Sequence, residues 1–124
     1  SRGLGYYIEA VLEKYQITNI PIFAVPTQFN GGKMKIISKY TDVNCNQWGI
    51  CKCSVLQKYR KSSDIIIYIG DGQNDLCPAK KSNIIFARDA LIRHCKQENI
   101  DFHRFSDFTS IQTEVMKIIE ENND

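Results

Sequence analysis

Long apolar runs are missing from this sequence. No stretch approaches the roughly 20 residues that a bilayer-crossing helix needs, and the N-terminus shows no signal-peptide pattern. Charge of one sign is missing too. Sixteen Lys and Arg stand against fourteen Asp and Glu, for a formal net charge of +2. That mixture offers neither a basic arm for nucleic acid nor an acidic tail. The five cysteines contain no paired C-x2-C knuckle, because Cys45, Cys51 and Cys53 run as C-x5-C-x-C while Cys77 and Cys95 stand apart. The two histidines, His94 and His103, sit at no diagnostic ligand spacing. Reduced, partly buried thiols are therefore expected ahead of a zinc site on Cys45, Cys51 and Cys53, and a disulfide framework comes last. The chain reads as soluble and cytoplasmic, with no nucleic-acid or membrane partner. Its 124 residues suffice for one modest core, with no repeat, low-complexity block or linker.

What is present alternates between helical and strand patterns. Leu4, Tyr7, Ile8, Val11, Leu12 and Tyr15 recur at helical spacing and predict a core-facing helix. Ile20 to Val25 is apolar but interrupted by Pro21 and closed by Pro26, which leaves its place in a sheet open. Asn30-Gly31-Gly32 predicts a hairpin turn between Thr27–Phe29 and Met34–Ile37. Thr41 to Gly49 reads as a polar loop with Trp48 as a packing anchor, and Cys51 to Tyr59 as a short helix. Ile65 to Ile69 has no polar alternation, as expected of a strand buried on both faces of a parallel sheet. A short helix over Asn74–Lys81, a strand over Asn83–Ala87, a helix capped by Asp89 and a strand over Ile100–Phe105 follow. Ser106 or Asp107 should cap a last helix carrying Phe108, Ile111, Val115, Ile118 and Ile119. The order predicts an α/β fold with a mainly parallel sheet.

Chemistry concentrates after the apolar strand, in "IIIYIGDGQNDLCPA". Ligands in open α/β sheets bind beyond the carboxyl ends of the strands, and Asp71 falls there, after Gly70. Gly70 and Gly72 permit a tight turn, and Asp75 returns to the same mouth one helical turn later. Two carboxylates among small residues suit a hard cation such as Mg²⁺, which takes oxygen ligands and keeps several waters. They are equally the residues of an N-cap and an acidic first turn. Ser1-Arg2-Gly3, directly ahead of a helix, makes a corner suited to phosphate, or an ordinary cap. Lys52 stands at a helix start among small residues.

Taken in order, these segments resemble the haloacid dehalogenase superfamily of phosphohydrolases. Ser1-Arg2-Gly3 matches its second motif, Lys52 its third, and Gly70-Asp71-Gly72-Gln73-Asn74-Asp75 its fourth, G-D-x-x-x-D. "SRGLGYYIEAVLEKY", "CKCSVLQKY", "IGDGQNDLCPA" and "FARDALIRHCKQENIDFHRFSDFTSI" are similar to the branch that contains 2-hydroxy-3-keto-5-methylthiopentenyl-1-phosphate phosphatase, with phosphoserine phosphatase as a relative. The resemblance implies a Rossmannoid three-layer sandwich and Mg²⁺-dependent hydrolysis of a small phosphorylated metabolite through an aspartyl-phosphate. It implies that Asp71 ligates the metal and that Asp75 holds its water shell or ligates it. Lys52 would neutralise the nucleophile and the phosphoryl oxygens. Ser1, Arg2 and Gly3 would bind phosphate, and Asn74 would add a supporting donor.

The family's first motif, D-x-D-x-[TV], which supplies nucleophile and general acid, is nowhere in these 124 residues. Asp64 precedes its strand, and Asp101 and Asp107 lack the pattern. In the family sheet the missing strand is central, so the residues present are expected to be the C-terminal part of a hydrolase core. The nucleophile segment would be supplied in cis or by another chain, and a cap inserted between the first two motifs would be absent with it. The chain by itself is then expected not to turn over. The alternatives are a non-catalytic fragment or binding module that kept the fold, and the cysteine-based zinc domain.

Overall fold

A computed structural model describes residues 1, 3–36, 51–62 and 64–122. Arg2, Cys45, Trp48 and the loop expected over 41–49 lie outside the described residues. The chain divides into two compact units, Ser1–Tyr59 and Arg60–Asp124.

In the first unit, helix α1 spans Gly5–Lys14. Its start is tied to the proline-flanked segment: the Gly5 N–H donates to Val25 O at 2.8 Å, and the Val25 N–H donates to Gly3 O at 2.9 Å. Gly5 admits this approach because a Cβ there would lie 3.1 Å from Val25 O. The helix ends in a Schellman motif, with Gln16 at φ +57° and the Ile17 N–H donating to Leu12 O at 2.9 Å. The expected core-facing stripe is only half covered. Leu4, Ile8 and Leu12 are half-buried, while Tyr7, Val11 and Tyr15 are exposed. The reason lies opposite: Pro21 and Pro26 leave the 20–25 segment one bridge residue, fully buried Val25, instead of a strand.

Strands β1 (Thr27–Asn30) and β2 (Lys33–Ile36) form the predicted antiparallel hairpin. Gly31 and Gly32 turn it at φ +60° and +79°, the two positive angles that a tight primed turn demands. Helix α2 covers Lys52–Tyr59.

The second unit is built on three parallel strands in the order β3 (Ile67–Gly70), β4 (Ile84–Ala87), β5 (His103–Arg104). Helices α3 (Leu76–Lys80), α4 (Ala90–Gln97) and α5 (Phe108–Asn122) connect and follow them. The parallel α/β character expected from the sequence is present, with the antiparallel hairpin in the first unit. Buried Ala79, Ile85, Ala87, Leu91 and Cys95 form the core, with Tyr68, Leu76, Ile92, Ile100 and Phe102 packed against it. The end of α4 repeats the Schellman motif: Asn99 lies at φ +57° and the Ile100 N–H reaches Cys95 O at 2.9 Å. Asp107 caps α5 as expected, its Oδ1 accepting from the Ser110 N–H at 2.9 Å.

Several expectations change. Among the described residues β3 is an outer strand, and it is not buried on both faces: Ile65 and Ile69 are exposed, and Ile66, Ile67 and Tyr68 are half-buried. The strand expected over Ile100–Phe105 shrinks to two residues, because the Schellman turn consumes its first positions. Asp89 precedes α4 but makes no side-chain cap hydrogen bond. Cys51 and Cys95 are buried thiols as anticipated, whereas Cys53 and Cys77 are disulfide-bonded, against the expectation of reduced thiols. Among the described residues no helix is long and apolar enough to cross a membrane.

Leu91 is fully buried at the centre of this core. Leu91→Ala should cost about 2–5 kcal/mol through lost transfer energy and a residual cavity. The midpoint of urea unfolding would show it, and a shift smaller than that of an exposed α5 substitution would contradict this core assignment.

Candidate functional site

Because β3 and β4 run parallel with Gly70 opposite Ala87, both open at the same end of the sheet. Asp71 and Gly72 follow one strand, Arg88 and Asp89 the other. The residues beyond Gly70 curl through a single 3-10 turn, Gln73–Asp75, into α3.

The curl closes over one carboxylate. Asp75 is only 3% exposed. Its Oδ2 accepts the backbone N–H groups of Asp71 at 3.0 Å and Gly72 at 2.9 Å, and its Oδ1 accepts the Tyr68 hydroxyl at 2.6 Å. A buried carboxylate is costly unless hydrogen-bonded, and these three donors offset its desolvation. Gly70 makes room for it: a Cβ on Gly70 would fall 2.6 Å from Asp75 Cγ and 2.7 Å from its Oδ2. The first glycine thus admits the second aspartate, and the second aspartate fixes the backbone of the first.

Tyr68 is the donor that the sequence reading missed. Burial pushes its phenol well above the ordinary value, with the hydrogen bond to Asp75 and then the negative charges of Asp75 and Asp71 adding to the rise. It stays protonated and keeps donating. Its signal was one polar tip inside the otherwise aliphatic run Ile65–Ile69.

Asp71 itself points outward and is exposed. Its carbonyl accepts the Leu91 N–H at 3.1 Å, and the Gly70 carbonyl accepts the Arg88 N–H at 3.2 Å, so the two strand ends are stitched together. Arg88 Nη2 lies 3.8 Å from Asp71 Oδ2, and Arg88 Nε lies 3.3 Å from Asp89 Oδ2. Asp89 stands at φ +52°, a region that favours glycine and costs a residue with a side chain about 1–3 kcal/mol. Its carboxylate pairs with Arg88 instead of capping α4.

Of the residues singled out from sequence, the second unit brings Asp71 and Asp75 together, with Asn74 half-buried between them. In the first unit Ser1 Oγ accepts the Gly3 N–H at 2.9 Å just ahead of α1, and Lys52 is the half-buried first residue of α2. Among the described residues no group of three or more His, Cys, Asp or Glu side chains is placed to hold a metal, so a closed all-protein site does not fit. An exposed carboxylate on a rigid loop fits a cation that retains waters, as Mg²⁺ does.

The sequence matches the Putative Phosphatase family over residues 4–117. The chain belongs to this family. The expected resemblance to a phosphatase family is therefore borne out. Among curated proteins, a 2-hydroxy-3-keto-5-methylthiopentenyl-1-phosphate phosphatase of Exiguobacterium sibiricum is 34% identical over 113 residues, covering 90% of this chain and 51% of the relative. Phosphatases of the same name are 39% identical over 122 residues in Bacillus cereus, covering 97% and 55%, and 32% identical over 129 residues in Lysinibacillus sphaericus, covering 99% and 56%. The chain spans about half the length of the curated relatives it matches.

Gly70→Ala forces a Cβ into Asp75 and should destabilise the fold by about 1–3 kcal/mol or more. Tyr68→Phe leaves Asp75 one donor short and should cost about 1–3 kcal/mol near neutral pH. Because the folded Tyr68 phenol ionises at higher pH than the unfolded one, its contribution is complete below the ordinary value of 10.0 and is lost as pH rises beyond it. The stability gap between wild type and Tyr68→Phe should therefore narrow above pH 10. Urea titrations at pH 8 and above pH 10 measure it, and a constant gap would mean that Tyr68 does not hold its proton in this way.

Proposed function

We propose that this chain carries the metal- and phosphate-binding part of a Mg²⁺-dependent phosphatase of haloacid dehalogenase type, acting on a small phosphorylated metabolite. The observation that carries the reading is the clamp at Asp75, which presents the Asp71 carboxylate outward at the carboxyl end of a parallel strand. Family membership supports it, and so do the names of the curated relatives, which are phosphatases of a small phosphorylated metabolite.

In this reading Asp71 is the carboxylate ligand. Asp75 acts behind it, holding the loop and orienting the cation's water shell through its position beneath the Asp71 and Gly72 amides. A bound divalent cation supplies charge neutralisation for the phosphoryl oxygens. By the family resemblance, Lys52 serves charge neutralisation, Ser1, Arg2 and Gly3 serve phosphate binding, and Asn74 serves as a supporting donor. The nucleophile is an aspartate outside these 124 residues, which contain no D-x-D-x-[TV]. The chain alone is then a binding half without turnover, and its sheet is part of the larger Rossmannoid sandwich.

Mn²⁺, as a paramagnetic substitute for Mg²⁺, should bind the 124-residue chain, and Asp71→Asn should weaken it at least tenfold with the far-UV circular dichroism unchanged. Equal Mn²⁺ binding by the variant would remove Asp71 from the site. With Mg²⁺ present, the chain alone should release no phosphate from p-nitrophenyl phosphate; release abolished by Asp71→Asn would show that the nucleophile is on this chain after all.

A further inference from the structure

We propose that Arg88 is a built-in counter-cation of the Asp71 carboxylate, one that a divalent cation must displace, and so sets the cation affinity of the site. The proposal rests on the reading of Asp71 as a cation ligand. No sequence motif marked Arg88; its role comes from where the sheet puts it.

Gly70 and Ala87 are paired in register, so Asp71 and Arg88 are the next residues off two neighbouring strands. Backbone hydrogen bonds hold them there, from the Arg88 N–H to Gly70 O at 3.2 Å and from the Leu91 N–H to Asp71 O at 3.1 Å. The guanidinium is then fixed from the far side. It lies over the Phe105 ring at 5.4 Å, donates to Ser106 O at 3.3 Å and sits 3.3 Å from Asp89 Oδ2. Phe105 is itself anchored to the same strand end, its N–H donating to Ala87 O at 3.2 Å. Stacked and paired at its base, the group meets Asp71 with its free end.

The spacing decides how it acts. At 3.8 Å the Nη2 to Oδ2 contact is longer than the roughly 2.7–2.9 Å of a charge-assisted hydrogen bond. The carboxylate is neutralised without being locked. Both partners are substantially exposed, with side-chain accessibilities of 44% and 58%, so water and ions reach the pair. A divalent cation offers Asp71 twice the charge at shorter range, and Arg88 keeps Asp89, Ser106 and Phe105 when it lets go. Without the cation, Arg88 balances the charge of the outward carboxylate; with it, the guanidinium remains a nearby positive charge that weakens binding.

Mn²⁺ titrations of the 124-residue chain, read from the electron paramagnetic resonance of free Mn²⁺, test this. Removing one positive charge a few ångströms from a divalent ion in a largely aqueous setting should tighten Mn²⁺ binding by Arg88→Met about five- to tenfold. Arg88→Lys, which keeps the charge, should stay within about twofold of wild type. Lys117→Gln, which removes the same charge from the α5 pair with Glu114, should leave binding unchanged. If Arg88→Met does not fold, Arg88→Gln carries the same expectation. Wild-type binding that is lost in Asp71→Asn but no tighter in the neutral Arg88 variant overturns this proposal alone. Tightening by Lys117→Gln as large as that at Arg88 would also overturn it, as a mere effect of net charge. Absent wild-type binding, or binding equal in Asp71→Asn, overturns the cation reading of Asp71 and this proposal with it.

Discussion

The second unit depends on a buried carboxylate held by donors from its own strand and loop. Asp75 could not stand at 3% exposure unless the Asp71 and Gly72 amides and the Tyr68 hydroxyl pointed at it. Those donors lie in the last strand residues and the loop that follows, so satisfying Asp75 dictates the path of the chain from β3 into α3. The path also requires that Gly70 carry no side chain, since a Cβ there would meet Asp75 Cγ at 2.6 Å. The glycine at that position answers a close approach and not a special backbone angle. Conformation, burial and presentation of Asp71 are one constraint seen from three sides.

How much of this could be read beforehand differs from element to element. The hairpin was legible because Asn30-Gly31-Gly32 offers two residues tolerant of positive φ, and little else suits them. The alternation of strands and helices in the second unit was legible because its apolar runs are short and separated by capping residues. The coverage of α1 was not. Helical spacing says which residues share a face, but not how much surface exists opposite them, and two prolines reduced that surface to one bridge. The fate of Cys53 and Cys77 was likewise closed to composition, which counts thiols but cannot place them.

The site shows the same division. G-D-x-x-x-D was visible as a spacing, and the spacing carries a geometry: five residues on from Gly70, the chain has turned back far enough to set Asp75 against it. What the spacing could not reveal were partners from elsewhere in the chain or with no motif of their own. Tyr68 looks like one more β-prone residue, and Arg88 like a solvated cation at a helix start. Only register, Gly70 opposite Ala87, makes Arg88 a neighbour of Asp71. Asp89 was read as a cap from its position, yet its φ of +52° turns the carboxylate to Arg88, and α4 starts without it.

Two aspartates four residues apart therefore do different work because their environments differ. Asp75 is enclosed, and the donors on both its oxygens commit it to organising the loop. Asp71 is exposed, and among the described residues the Arg88 guanidinium, 3.8 Å away, competes for its charge. A carboxylate so placed can exchange one cation for another, whereas a carboxylate bonded to its own backbone cannot leave without dismantling the turn. In the proposed function, separating a fixed acid from an exchangeable one would let a short loop be rigid enough to position a cation and open enough to bind it. Exchanging the two roles would require burying Asp71, and the carbonyls of Gly70 and Asp71, already engaged by the Arg88 and Leu91 amides, hold the backbone where that cannot happen.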